Sequence, residues 1–241
     1  MLNVKSYLEK QFEGQKGVQY GSDINWQRSL NHVKYLAKVI VKNSKVLDIG
    51  CGHGHHMYLL KQLRPDLDIT GIDIKKQKLW NVLKKEGYNL KIMDATNLKF
   101  PDKTFDVIIS FGVMEHVEDD NLFLKEINRV LKYKGKLFIF NLPNEYSITE
   151  FIAGFIGIIN HEVRYDKYAI IKKLSNNYLT AIRIRREFLI PAQYNHISVT
   201  LNKVLNKYTK SIIIFDKILC STPLNFFAQS FFVRGVKNYD N

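Results

Sequence analysis

Asp48, Gly50, Gly52 and Gly54 stand at alternate positions in Lys45-Val46-Leu47-Asp48-Ile49-Gly50-Cys51-Gly52-His53-Gly54. Three glycines at that spacing clear side chains from a loop and permit positive φ, so its backbone can come close to a ligand. The apolar run before them reads as a buried strand, and Met57, Leu59, Leu60 and Leu63 after them as a helix. The loop therefore delivers its ligand to a helix N-terminus. A phosphate loop would close on Gly-Lys-Ser/Thr, whereas Gly54 is followed by His55-His56. A dinucleotide loop is spaced G-x-G-x-x-G, whereas this chain reads D-x-G-x-G-x-G. The Asp48 carboxylate would repel a pyrophosphate and favour a ligand carrying an ammonium group. Asp73, about twenty residues further on, can accept from ribose hydroxyls.

The elements that must position these groups alternate. Strands are expected at 46–49, 68–73, 90–93, 105–110 and 136–141, with helices at 55–63, 76–86 and after Asp119 or Asp120. Such alternation implies right-handed crossovers, a mainly parallel sheet and helices on both faces. Ligands of such sheets bind at the carboxyl ends of the strands, where strand order reverses. Ahead of the glycine loop, Ser22 or Asp23 could cap a helix with Leu30, Val33, Leu36, Ala37, Ile40 and Val41 on one apolar face. Trp26 and Arg28 near its start either pack or close over a ligand. Residues 1–20 read as a loose helix or arm. Beyond the fifth strand come an apolar insertion at 148–160, a short helix at 166–174, a strand at 179–190, a helix at 192–208 and a last strand at 226–236. Phe226, Phe227, Phe231 and Phe232 are expected in the core of that strand.

Composition bounds the possibilities. The 241 residues suffice for one large α/β domain, and a hydrophobic fraction of 46% argues against disorder. Two cysteines, Cys51 and Cys220, exclude a disulfide framework and a cysteine-rich metal site, and suit a reducing compartment. No metal ligands stand out. Charged residues occupy the N-terminus where a signal peptide needs apolar ones, and the apolar run Phe151–Ile159 is shorter than the about 20 residues of a membrane span. A cytoplasmic protein is expected. The net charge is +13, and thirteen Lys/Arg against five Asp/Glu from His161 onward account for about +8 of it. Two readings stand: attraction to an acidic partner, or a solvated surface with scattered charges and no run of five.

Val46-Leu47-Asp48-Ile49-Gly50-Cys51-Gly52-His53-Gly54 resembles the first motif of class I S-adenosylmethionine-dependent methyltransferases. Gly71-Ile72-Asp73-Ile74, the segment Asp94–Asp106, Met114-Glu115-His116-Val117-Glu118-Asp119 and Glu126-Ile127-Asn128-Arg129-Val130-Leu131 resemble the later motifs in order. Five co-linear motifs over about residues 44–145 are far more specific than one glycine loop. The resemblance implies a Rossmann-like, doubly wound, mainly parallel seven-stranded sheet with an antiparallel strand near the C-terminus. It divides the chain into an arm at 1–43 and a methyltransferase domain at 44–241, with 146–170 as a lid on the substrate side. It also implies S-adenosylmethionine as cofactor. Gly50, Cys51 and Gly52 would offer backbone to the methionine part, Gly54 would belong to the same cofactor site, and Asp48 would lie near the cofactor's amino group, directly or through water. Asp73 would take the ribose, Ile74 the adenine face, Asp94 the adenine amino group and Ala95 the ring edge, and Phe111 would line the methionine pocket. Two departures are visible: Lys132-Tyr133-Lys134-Gly135 replaces the usual Pro-Gly-Gly turn, and Ser110-Phe111-Gly112-Val113 lacks the signature of enzymes that methylate base nitrogens.

On the substrate side, His161-Glu162-Val163-Arg164-Tyr165 resembles a stretch found in quinone-precursor and sugar methyltransferases. A histidine there could deprotonate a hydroxyl near neutral pH. His116 either orients the loop or takes part in chemistry, and Arg164 and Tyr165 either contact an acidic substrate or lie at the surface. The expectation is methyl transfer to a small or lipid-linked acceptor, at an oxygen, with the apolar insertion as packed helix, lid or peripheral membrane contact. The rivals are an RNA or protein methyltransferase, a non-catalytic cofactor-binding module, and a nicotinamide oxidoreductase.

Overall fold

The computed structural model describes residues 23–77, 79–155, 161–191 and 207–238. Seven strands form one sheet: β1 (Lys45–Ile49), β2 (Asp68–Asp73), β3 (Asn89–Ile92), β4 (Phe105–Phe111), β5 (Leu131–Pro143), β6 (Leu179–Glu187) and β7 (Ser230–Lys237). Their order is β3-β2-β1-β4-β5-β7-β6. The first five are parallel, and β7 runs antiparallel to both β5 and β6. Strand order reverses between β1 and β4, so a crevice opens beyond their carboxyl ends.

Helices cover both faces, as the alternation requires. On one face α1 (Asp23–Val39), α2 (His55–Leu63) and α3 (Trp80–Lys85) bury Val33, Leu36, Met57, Leu60 and Trp80 against the sheet. On the other, α4 (Asp120–Val130) and α6 (Lys167–Asn176) bury Phe123, Ile127, Ile170 and Leu174. Between them in sequence lies α5 (Ile148–Phe155), and α7 (Thr209–Cys220) precedes β7.

Several boundaries differ from the sequence expectation. Helix α1 stops at Val39 as the chain turns towards β1, which leaves Val41 64% exposed instead of on the apolar face. The helix expected over 76–86 is only Trp80–Lys85. Strand β5 begins at Leu131, directly after α4, and takes in the Lys132–Gly135 turn, where Lys134 has φ +59°. Phe226 and Phe227 are not in the last strand. They lie in a 3-10 turn, Pro223–Phe227, where proline cannot donate to a sheet, and both are partly exposed, whereas Phe231 and Phe232 are buried in β7. Helix α7 was not anticipated. The expected arm at 1–20, most of the expected helix at 192–208 and the end of the insertion lie outside the described residues.

One pair of charges, Glu126 and Arg129, has a plain structural job. The Arg129 guanidinium donates to both carboxylate oxygens of Glu126 at 2.8 Å, to Asp102 and to the carbonyls of Leu98 and Phe100. Glu126 also accepts from the Leu98 amide at 2.8 Å. Together they staple the 98–102 loop, which carries Asp94 and Ala95 just upstream, to α4. At the start of that helix the Asp119 carboxylate accepts from the amides of Asn121 and Leu122. Asp119→Ala is expected to lower stability by about 1 kcal/mol, read as a lower urea midpoint with an unchanged slope.

Candidate active site

The glycine loop is set by backbone shape. Gly50, Gly52 and Gly54 all have positive φ, and a Cβ on Gly50 would stand 2.2 Å from Val113 Cγ2. No other residue fits there. The loop is also sewn to the end of β2: the Cys51 amide donates to Ile72 O, the Gly52 amide to Asp73 Oδ2 at 2.9 Å, and the Trp80 indole to Gly52 O at 2.8 Å. The Cys51 and Gly52 amides are therefore engaged within the chain, and the loop's contribution to a ligand is close approach, not free donors from those two residues. The Cys51 thiol points into the core beneath Gly71.

Beyond the loop lies a groove of about 440 Å³, walled by Gly50, Asp73, Ile74, Asp94, Ala95 and Gly112 among others. Each Asp73 oxygen takes one amide, from Gly52 or from Lys75. A carboxylate oxygen has capacity for a further donor. Asp94 is held below the usual carboxylate range by the Thr96 amide and hydroxyl, both 2.8 Å from Oδ1. Ile74 is 66% exposed on the lip. Asp48 lines neither this groove nor its neighbour. It lies buried, with Oδ2 lacking a hydrogen-bond partner among the described residues, and burial plus the nearby Asp73 push its pKa up to about 8.

A second cavity, about 430 Å³, adjoins the first, and both are lined by Gly112 and His116. Five of the chain's seven histidines line it (His32, His55, His56, His116 and His161), so imidazole dominates its chemistry. His56 stacks on Phe111 at 3.7 Å between centroids, and Phe111 on Phe140 at 4.5 Å. Burial lowers His55 to about 4 and His56 well below the ordinary range, so both are neutral near pH 7. Elsewhere in the lining His161 Nδ1 lies 3.1 Å from Glu150 Oε1, and this partner raises the histidine's pKa. Glu115 is buried beside His116 and His161, and burial lifts its carboxyl to about 7. Trp26 and Arg28 are in the wall, but the Arg28 guanidinium is committed to Asp216 at 3.0 Å and to Ile190 O. His32 pairs with Glu187 at 2.9 Å.

Residues 47–139 match the family described as a methyltransferase domain. Over that stretch the chain is a methyltransferase domain. It is 37% identical over 141 residues to a demethylmenaquinone methyltransferase of Thermotoga maritima, covering 56% of this chain and 59% of that one. It is 36% identical over 124 residues to a ubiquinone biosynthesis O-methyltransferase of Pelagibacter ubique, covering 48% of this chain and 49% of that protein. The chain thus spans about half the length of these curated relatives. A solved S-adenosylmethionine-dependent methyltransferase from Archaeoglobus fulgidus superposes with a TM-score of 0.59 over 97% of this chain and 99% of its own, at 19% identity, which shows the fold alone.

The methyltransferase domain's cofactor is S-adenosylmethionine, and the residues present fit it. Asp73 and Asp94 suit hydroxyl and amino donors along one groove, whereas buried Asp48 lines neither cavity. Two residues read as either substrate contacts or surface line neither cavity. Tyr165 is buried in the second core, where its hydroxyl donates to Asp120 Oδ2 at 3.0 Å, and exposed Arg164 lines neither cavity. Glu115, Glu150, His32, His55 and His56 were not singled out from sequence. Glu150 carried a signal, as the only charged residue of apolar α5.

The Asp48 carboxyl gives a sign-defined test. Its pKa rises from an ordinary 3.8 to about 8 on folding, so the folded protein keeps a proton that the unfolded chain has released. That stabilisation is complete below pH 3.8 and is lost as pH rises through about 8. Without cofactor, the Tm of Asp48→Asn relative to the wild type is expected to climb between pH 4 and pH 8, followed by differential scanning fluorimetry.

Proposed function

We propose that this chain transfers the methyl group of S-adenosylmethionine to a hydroxyl of a small or lipid-linked acceptor. The observation that carries the reading is the junction of the two cavities at Gly112 and His116. A cofactor laid along Asp94, Asp73 and the glycine loop would point its reactive end at the histidine-lined chamber. When bound, the cofactor supplies a methyl group already activated on a sulfonium. The remaining work falls to the chain: hold the acceptor in line, exclude water, and manage one proton. His161, oriented through Nδ1 by Glu150, is the residue assigned to meet the acceptor hydroxyl, and the stacked His56 and Phe111 rings offer a face to a flat ring.

Helix α5 supports a greasy acceptor. It buries its acid, Glu150, and exposes Ile148, Phe151 and Ile152, the reverse of an ordinary surface helix. The two relatives are named for quinone-type acceptors, which are of that kind. No helix among the described residues is long and apolar enough to cross a membrane, so contact with a lipid phase would be peripheral.

Two measurements test the reading. Isothermal titration with S-adenosylhomocysteine should show saturable binding, weakened by roughly 1–3 kcal/mol in Asp73→Ala, the scale of a lost buried hydrogen-bond partner. Binding of NAD instead would overturn it. Tritium from labelled cofactor should enter the lipid or polar small-molecule fraction of a cell extract, and label confined to RNA or protein would exclude the small acceptor. With an acceptor in hand, His161→Ala should lower kcat by about 10²-fold or more while S-adenosylhomocysteine affinity stays the same.

A further inference from the structure

The strongest unexplained cluster lies at the junction itself. One donor atom each from Glu115, His116 and His161 falls within 4.8 Å of the others, and all three residues line the chamber. The Glu115 side chain is 2% exposed, yet Oε2 has no hydrogen-bond partner among the described residues. Leaving a buried carboxylate oxygen without a donor or a cation is costly. Its Oε1 stands 3.9 Å from His116 Nε2, too long for a hydrogen bond. Behind His161, Glu150 Oε1 lies 3.1 Å from Nδ1, with the Glu150 side chain 3% exposed. That bond places the Nδ1 proton towards the carboxylate, so Nε2 is the nitrogen free to ligate when the ring gives up its second proton.

We infer that Glu115, His116 and His161 form a divalent-cation site in the wall between the cofactor groove and the acceptor chamber, with Glu150 as the positioning residue behind His161. A carboxylate hydrogen-bonded to the far nitrogen of a ligating histidine is the usual second contact of such sites. Two imidazoles and one carboxylate suit zinc, manganese, cobalt or iron(II), and three protein ligands leave positions open for water or an acceptor oxygen. Bonds of about 2.0–2.2 Å require donors closer together than 4.8 Å. His116, with its side chain 61% exposed, is the member with room to swing inward.

The consequence for chemistry rests on the methyl-transfer reading. A hydroxyl bound to the cation releases its proton to solvent at a lower pH than it would alone. The resulting oxygen lone pair forms the new O–CH₃ bond, the C–S bond breaks, and its electron pair stays on sulfur, giving a methyl ether and S-adenosylhomocysteine. In this arrangement His161 acts as a ligand, and the cation ionises the acceptor. A catechol or similar vicinal pair of oxygens would fill two open positions at once.

The test uses tag-free, chelator-stripped chain titrated with cobalt(II) chloride, read by visible absorption and then by competition with zinc. One equivalent of cobalt should bind and give the intense bands of a low-coordinate site. Glu115→Gln and His161→Ala should each weaken binding by more than tenfold, and Glu150→Gln by about 10-fold. Retained S-adenosylhomocysteine binding in each variant shows that it is folded. Asp73→Ala should weaken that binding and keep cobalt. Cobalt uptake that is absent, or unchanged in Glu115→Gln and His161→Ala, overturns the site. Wild-type protein that takes cobalt but not S-adenosylhomocysteine keeps the site and overturns the methyl-transfer reading.

Discussion

The hydrogen bond from the Gly52 amide to the Asp73 carboxylate is the tie on which the cofactor groove depends. Two strands that are neighbours in a sheet diverge as their ladder ends, and a loop that left β1 unrestrained would sample many approaches to the ligand. Here the loop is fastened to the end of β2 through an amide, a carboxylate and the Trp80 indole. Val113, just beyond β4, closes on Gly50 from the other side at a distance that admits only glycine. Three strand ends are thereby brought to one point. The same carboxylate that fastens the loop lines the groove and has lone pairs left over.

The parallel half of the molecule was largely legible in the sequence because its signals are local. Strands β1, β2 and β4 are short apolar runs ended by acids or glycines, and α2 matches its expected bounds residue for residue. Asp48, Gly50, Asp73 and Asp94 are tied to those strand ends, so their approximate positions followed from the alternation. The distal half was less legible because its elements are specified by long-range contact. Helix α7 is defined by Asp216, which accepts from the Leu189 and Ile190 amides and pairs with Arg28. No window of sequence shows that. Tyr165 was open to two readings, substrate contact or surface, and local sequence does not show that its hydroxyl finds Asp120 inside the fold. The carboxylates of the chamber were missed for a related reason. Glu115 and Glu150 are separated by 35 positions, and only the return of the chain after β5 puts the second behind His161.

The chamber holds two chemistries that burial keeps apart. His55 and His56, under the glycine loop, are driven neutral and pack as aromatic surface. His161 sits against a carboxylate that favours its charged form, and burial holds the neighbouring Glu115 carboxyl protonated to about pH 7. The lining therefore combines flat, uncharged rings with a polar cluster of two histidines and a carboxyl.

The contacts that close the chamber reach across most of the chain. Arg28 meets Asp216 across 188 positions and His32 meets Glu187 across 155, whereas the groove is lined by residues between Ile49 and Glu118. A ribosome works from the N-terminus, so strands β1 to β5 are complete by Pro143 while the partners of Arg28 and His32 have yet to be made. The groove thus draws on one short stretch of chain, whereas the chamber draws on residues from Asn25 to Ser230.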